Sequence, residues 1–549
     1  MKLKTFKTLV LVFISTFMFS QDKLGDISIE YGEEITEEKG KIVNIIGEAN
    51  NKIYALGFKG KKKYFLKVFD SKSMAILSNN LIKLPEVKGK KLRFEDLFLL
   101  NGNVYIFASY FDRKSKEFKL EAISVSENGE VSSNTTNLFS SPVSKGSARG
   151  SFYFKLSPDK TKVLALHAGL YAKEDAVKYN LKFIDSDLNI LANHSEKVNF
   201  VDKKRYEFDI SDFSSNINDD IFIVTNESHL DKKKKTTFSD LNIHVFKKAN
   251  NYKKEEIKID LSGNELLNCK MVATQANTLQ LVGLYSELRK NGKPNKKLEG
   301  VYCGSVDLTN NSTQPFKFNK FNYETKLNLL GERKAKKDKD LKPFYTIHSI
   351  IEKEDGGLIL LSEYSQVIYG KSQGIGPISV TPTTYINNEI IITSLKKDGS
   401  LDWTNVVAKE SRATTNIIGF GLLAGGADGS LTVSASSSIP LFALGKGPEY
   451  LGAIPIYKNG KLTVLFNDNI KNSGFTKMDD IKRMTSYNKS TITAFEFDSI
   501  GKLTRIDKDN PTTDQLNIRP QIFFDKYNDE YIIYSSKKSV DKLGRMFIN

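Results

Sequence analysis

The stretch Asn387–Val407, "NNEIIITSLKKDGSLDWTNVV", is an apolar run, a Lys-Lys-Asp-Gly turn and a second half-apolar run. Strand-forming residues on either side of an Asp-Gly turn predict a β-hairpin. The pattern recurs. "KYFLKVFDSKSMAIL" begins at Lys63, "KLEAISVSENGEVSS" at Lys119, "YNLKFIDSDLNILAN" at Tyr179, "LNIHVFKKANNYKKEEIKI" at Leu241 and "GVYCGSVDLTNNSTQPFKF" at Gly300, while "STITAFEFDSIGKLTRI" ends at Ile506. The first five begin roughly 55–62 residues apart, the sign of a repeat architecture. A second hairpin precedes each, turning at Asn50–Asn51, Asn101–Gly102, Pro158–Asp159, Asp219, Asn277, Gly356 and Gly429. Such turns need a positive φ or a local side-chain bond, which Gly, Asn and Asp supply at low cost.

Each unit is therefore a four-stranded antiparallel meander, a–b then c–d. One such sheet cannot cover both its faces, and radial stacking of copies buries them, which predicts an all-β fold, a β-propeller. A set of β-sandwiches is the competing architecture, but Greek-key connections would not give this alternation. Blades are drawn at about 37–90, 91–148, 149–203, 204–262, 263–325, 343–412, 413–510 and 511–549 completed by 21–36. That makes eight, with seven as the alternative count. The unit 413–510 is overlong, and either the hairpin around Asn459–Gly460 or the glycine-rich "GFGLLAGGADGSLTV" is its extra part. The last unit has strands near Ile522, Ile532 and Met546 and no fourth, whereas "DISIEY", Asp26–Tyr31, is an alternating segment without a unit. Pairing the two would tie both ends into the ring and remove a frayed edge.

Two short stretches carry resemblances. "SPDKTKVLAL" (157–166) resembles the Ser-Pro-Asp hairpin of TolB and WD40-like propellers, and "KKDGSLDW" (396–403) resembles the tryptophan-docking hairpin of quinoprotein propellers. The whole chain looks like the exported bacterial propeller-like proteins, which implies fold and compartment but no activity.

The 549 residues are 40% hydrophobic and 27% charged, with 58 Tyr plus Phe against one Trp, a composition suited to a folded, strand-rich chain. Lys2, Lys4 and Lys7 precede an apolar run, Thr8–Phe19, too short to span a bilayer, and Ser20 is a small residue suited to cleavage before Gln21. This reads as a secretory signal peptide over 1–20, with Met18 departing from the usual small residue at −3. No Cys follows it, so the mature chain is expected in the periplasm or outside the cell, without a lipid anchor and without a transmembrane segment. Cys269 and Cys303 fall on strands a and c of one blade, about two strand spacings apart, and are expected to stay unpaired.

The formal charge of +16 falls to +13 without the three leader lysines and favours anionic partners. In the meander the a–b and c–d turns share one face and are tight. The opposite face has long connections at His167–Lys178, Asn226–Ser239, Glu287–Gly300, Asn319–Lys342, Gln366–Asn388 and Ser436–Leu451. Three of these are basic: one with Lys232, Lys233, Lys234 and Lys235, one with Arg289, Lys290, Lys293, Lys296 and Lys297, and one with Arg333, Lys334, Lys336 and Lys337. These are the candidate binding residues, for an acidic glycan, an envelope surface or a protein. Base-stacking aromatics are few among them, so nucleic acid is not expected. Two further connections, Gln366–Asn388 and the one containing "SSIPLFALGKGPEYLG", are apolar enough to dock a partner or to cover the channel mouth.

No catalytic residue can be named. His167, His194, His229, His244 and His348 form no zinc spacing, "YGKS" at Tyr369 has Ser365 where a P-loop needs Gly, and "DKDNPTTD" at Asp507 lacks the Gly and Glu of a calcium loop. No metal or cofactor is expected. The leading reading is a monomeric, secreted binding or scaffolding propeller without catalysis. The alternative is a carbohydrate-active hydrolase or lyase with its acids at the channel mouth.

Overall fold

A computed structural model describes the chain apart from residues 1–19, 37–39, 61–62, 144–145, 147–148, 172–175, 201–206, 232–235, 290–294, 296, 372, 376–377, 421–429, 434–446, 513 and 527–528. The expected leader lies almost wholly outside the described residues. What is described is all-β, mostly in four-stranded antiparallel sheets, with two α-helices, Tyr323–Leu330 and Glu332–Ala335.

The opening stretch is a hairpin in register, with Ile390 opposite Val407 and Ser394 opposite Trp403. Gly399 closes its turn at φ 80°, and the Asp398 carboxylate accepts from Ser400 N at 3.0 Å. Left-handed residues also mark the preceding turns: Asn50, Asn51, Asn101, Asp219, Asn277 and Asn459 lie at φ 46–69°. In "SPDK" the left-handed residue is Lys160, while Asp159 braces the turn by accepting from Thr161 N at 3.2 Å.

The sheets follow the chain in order. Sheets 1 to 3 occupy 41–81, 93–142 and 151–199; sheets 4 and 5 occupy 207–259 and 264–320; sheet 6 runs over 345–420 and sheet 7 over 454–506. Sheet 8 is Asn517–Asp525, Glu530–Lys537 and Val540–Ile548, extended by Ile27–Glu34 and then Ser20–Leu24. Ile27 lies opposite Ile548 and Ile29 opposite Met546. In the overlong unit, the Asn459–Gly460 hairpin supplies the first two strands of sheet 7, Ile454–Lys458 and Lys461–Asn469, so it is not the insertion. The stretch before it pairs elsewhere: Ser411–Phe420 beside Ile378–Leu395, and Ser430–Val433 parallel to Glu207–Ser215 of sheet 4.

Strand alternation sends successive side chains to opposite faces, and both faces are buried. Ile53 and Ala55 pack with Ile522, Ile532 and Tyr534 of sheet 8, whereas Tyr54 and Leu56 pack with Leu97, Ile106 and Ile123 of sheet 2. Further clusters join sheets 2 and 3, 3 and 4, 4 and 5, 5 and 6, 6 and 7, and 7 and 8. This is the packing scheme of a β-propeller. Lys160, after the first strand of sheet 3, donates to Asp525 O, at the end of the first strand of sheet 8, at 2.6 Å, although those sheets share no cluster.

Polar clamps join neighbouring sheets at the rim. Asn80 Nδ2 donates to Asn128 O at 2.8 Å, Asn319 Nδ2 to Gly399 O at 2.9 Å and Asn405 Nδ2 to Gly501 O at 2.9 Å. In each case an outer-strand amide holds the c–d turn of the next sheet. Trp403 does the same from sheet 6, with Nε1 donating to Ser499 O at 3.1 Å and its ring against Gly501. Cys269 and Cys303 are buried and form no disulfide, with strand Thr278–Glu287 between them.

Candidate functional site

The face carrying the longer connections is built differently from the sequence expectation. His167–Lys178 and Asn226–Ser239 are mostly strand, because Val163–Tyr171 with Ala176–Ile184, and Ile221–Asp231 with Thr236–Phe246, continue as paired ribbons. Gln366–Asn388 is likewise strand from Leu358–Tyr369 and Ile378–Leu395. Polar side chains do not stop a two-stranded ribbon whose backbone groups pair with each other. Asn319–Lys342 holds the two helices. Asn322 caps the first by accepting from Thr325 N at 2.9 Å, an N-cap signal legible in "FNYET".

Of the candidate basic residues, Lys232 to Lys235, Lys290, Lys293 and Lys296 lie outside the described residues. The second and third basic segments meet, since Leu298 N donates to Leu341 O at 3.1 Å and Lys297 pairs with Asp340 at 2.6 Å. Lys336 is also spent locally, on Glu332 at 2.5 Å. Arg289, Arg333, Lys334 and Lys337 are exposed and form no ion pair among the described residues.

A more enclosed site, not anticipated from the sequence, lies on the same side, between sheets 7 and 8. The turn Lys538–Ser539 separates two hollows, and Lys537 and Lys538 line both. One, of about 360 Å³, is bounded by Tyr450, Tyr487, Asn517 and Lys537. The other, of about 410 Å³, takes in Asp22, Asp514 and Lys542.

Backbone and amide bonds build the first hollow. Asn467 accepts from Ile518 N at 3.1 Å and donates to Ile518 O at 2.8 Å and Tyr450 O at 3.0 Å, which fixes Tyr450 to both sheets. Tyr450 Oη shares Ser536 Oγ, at 2.7 Å, with Arg519 Nε at 2.8 Å. The Arg519 guanidinium is buried and lies 4.3 Å from the Tyr534 ring centroid. Asn517 Nδ2 donates to Tyr487 O at 2.8 Å, and the Tyr450 and Tyr487 rings stack at 4.5 Å. Lys537 Nζ donates to Ser490 O at 3.2 Å. Burial brings the Lys537 ammonium down to about 8.

Acids do stand on the first strands: Asp96 lies beside Glu95 on sheet 2, and Glu265 of sheet 5 lies near enough to Glu207 of sheet 4 for the two carboxylates to repel. Asp212 is occupied by Lys155 at 3.1 Å and by Met271 N at 3.0 Å. Burial raises Asp96 to about 6 and, with Glu207 adding, Glu265 to about 7, yet these stand on sheets 2 and 5, which share no cluster. Among the described residues no group of His, Cys, Asp and Glu could hold a metal ion, and no helix is long and apolar enough to cross a membrane.

No protein-family model matches the chain, and no curated protein matches it in sequence. Solved structures similar to it include the WD40 domain of SCAP from fission yeast, at 8% identity and TM-score 0.34, covering 95% of this chain and 98% of that one. The Dos1 propeller is similar at 11% identity and TM-score 0.39 over 95% of each chain. A europium-containing methanol dehydrogenase is similar at 8% identity and TM-score 0.38, over 93% of this chain and 85% of that one.

Proposed function

We propose that residues 21–549 form one exported, eight-bladed propeller that binds or scaffolds and performs no catalysis. Its partner, an anionic glycan, an envelope surface or a protein, docks on the side of the longer connections. The ring reading is supported by the eight clusters, which link each sheet to the next and sheet 8 back to sheet 1. Ile27–Glu34 then completes the last blade as its fourth strand, with Ser20–Leu24 paired outside it. The protein is a monomer, released after cleavage at Ser20 into the periplasm or medium without a lipid anchor.

One observation carries the non-catalytic reading. The connection between sheets 6 and 7 lays strand Ser430–Val433 along the inner edge of sheet 4, the place where a propeller enzyme would assemble acids from several blades. An added parallel strand fills that edge with backbone pairing.

Chromatography on polyanionic and neutral matrices tests the binding role. Retention on the polyanion that falls with salt is expected, reduced by reversing the charges of Lys232–Lys235 or of Arg289, Arg333 and Lys334. Passage of the wild-type protein through every anionic matrix, with no partner recovered from intact cells, would overturn it. Processing is checked separately, by N-terminal sequencing of protein recovered outside the cytoplasm.

A further inference from the structure

The hollow between sheets 7 and 8 deepens the binding reading, on which this inference rests. Lys537 is only 4% exposed, and among the described residues its ammonium forms no ion pair. Three other buried lysines are each paired with a carboxylate: Lys409 reaches Glu363 at 2.8 Å, Lys326 reaches Asp338 at 2.6 Å and Lys508 reaches Asp22 at 2.8 Å. A buried ammonium with one carbonyl acceptor and no counter-ion is an expensive arrangement in a finished core. The charges that face it are Asp514, which favours the ammonium from a distance, and Lys538 and Lys508, which oppose it. The depressed Lys537 ammonium agrees with that shortage of negative charge.

Lys537 also lines the wall of a hollow that can admit a ligand. Among the described residues no carboxylate lines the hollow of about 360 Å³, although the buried Glu449 lies close enough to act on the Tyr487 hydroxyl and Asp514 acts on Lys537. Lys538 lines it too, but is exposed and pairs with Asp514 at 3.6 Å, and the remaining polar side chains are neutral, including Thr414, Ser486, Tyr487, Asn488 and Asn517. Hydroxyl and amide groups both donate and accept, as a polyhydroxylated ring does. The Tyr487 hydroxyl is a second orphan: among the described residues it has no hydrogen-bond partner. The stacked Tyr450 and Tyr487 rings provide a flat apolar wall. The volume lies within the range of about 300–1,000 Å³ usual for small-molecule sites. One buried ammonium without a guanidinium fork, beside an exposed lysine already paired with Asp514, suits a monoanion better than a phosphate dianion.

We propose that this hollow binds the carboxylate of an acidic sugar, a uronate residue, with the Lys537 ammonium as its charge partner and the Tyr487 hydroxyl as a hydrogen-bond donor to the ring. The turn of Lys538 and Ser539 leads into the second hollow, so a longer saccharide can continue past Lys538 toward Lys542.

Calorimetric titration with tetragalacturonate and with its methyl ester, on the full secreted chain, tests this. The acid should bind at least tenfold more tightly than the ester. Lys537→Met should remove that preference, and Tyr487→Phe should weaken binding severalfold. Equal binding of acid and ester, or a folded K537M that binds as the wild type does, overturns the site. If K537M does not fold, amine acylation of the wild-type protein decides: tetragalacturonate should protect Lys537 from modification, and absence of protection overturns the proposal. A wild-type protein that holds to a polyanionic matrix but ignores tetragalacturonate would sink this site and leave the binding role standing, whereas failure on every anionic matrix would sink the role itself.

Discussion

The pairing of Ile27–Glu34 with Val540–Ile548 makes Ile29→Ala the most searching single test of the architecture. Ile29 is 2% exposed and packs in one cluster with Ile454, Ile456, Ile533 and Met546, so it touches both sheets 7 and 8. Truncation to alanine removes three carbons, about 0.8 kcal/mol each when buried. Some cavity remains because the surrounding strands cannot collapse fully, which brings the total to about 3 kcal/mol, within the range of about 2–5 known for such changes. The matched control is Ile500→Ala, at a side chain 76% exposed, where the change should stay within about 0.5 kcal/mol. Urea unfolding followed with hydrogen exchange separates two cases. If the segment is an integral fourth strand, I29A lowers global stability by about 3 kcal/mol and speeds exchange in 540–548 as well as 27–31. If it is a loosely applied flap, it opens locally first, and I29A behaves in global unfolding like I500A. That second result would refute the reasoning.

Three further outcomes follow from buried contacts. Lys409→Met leaves Glu363 buried without its cation and should cost about 3–5 kcal/mol, largely restored by adding Glu363→Gln. Burial acts most strongly and would raise the Glu363 carboxyl, but the Lys409 ammonium, His348 and the Asn387 amide together outweigh it, and the folded value lies below the usual one. The pair's contribution is therefore complete above the unfolded carboxylate range and lost as acid titrates Glu363 in the folded state, so acid unfolding of K409M should show a weaker dependence over that interval. Gly501→Ala places a Cβ 2.5 Å from the Trp403 ring at a φ of +80°, so it should destabilise by about 2 kcal/mol and shift the emission of the single tryptophan to the red. Burial raises the Cys269 and Cys303 thiols to about 12, so a disulfide reagent should find almost no reactive thiol in the native protein and two after denaturation without reductant.

The repeat was legible because its information is local. Asn50, Asn101 and Asn277 sit where a left-handed backbone is needed, and alternation such as that of Ile53 to Leu56 shows which residues line each face. The segment Asp26–Tyr31 could be read because an alternating strand with no neighbour stood out against units of four. What escaped was long-range or polar. The ribbon Ile221–Asp231 with Thr236–Phe246 looks like a loop because its far half is hydrophilic, and strand Ser430–Val433 finds its partner more than two hundred residues away. The hollow is assembled from Tyr450, Tyr487, Asn517 and Lys537, each on a different local element. Runs of lysine draw notice because they are contiguous, whereas Lys537 matters through burial and a missing counter-ion, neither of which is visible in the residues beside it.

The rim clamps also set how this fold would age. Asn319 donates a hydrogen bond to Gly399 O and accepts one from Leu401 N at 3.0 Å, so it is both halves of a latch. Hydrolysis of that amide to a carboxylate would keep the accepting half and turn the giving half into repulsion between two oxygens. One slow chemical lesion would thus unfasten one seam between neighbouring sheets while leaving every apolar contact in place. The residues that follow the three clamp asparagines, Leu81, Lys320 and Val406, are bulkier than the glycine after Asn101 or Asn459, so wear should reach those exposed hairpin turns before it reaches the seams.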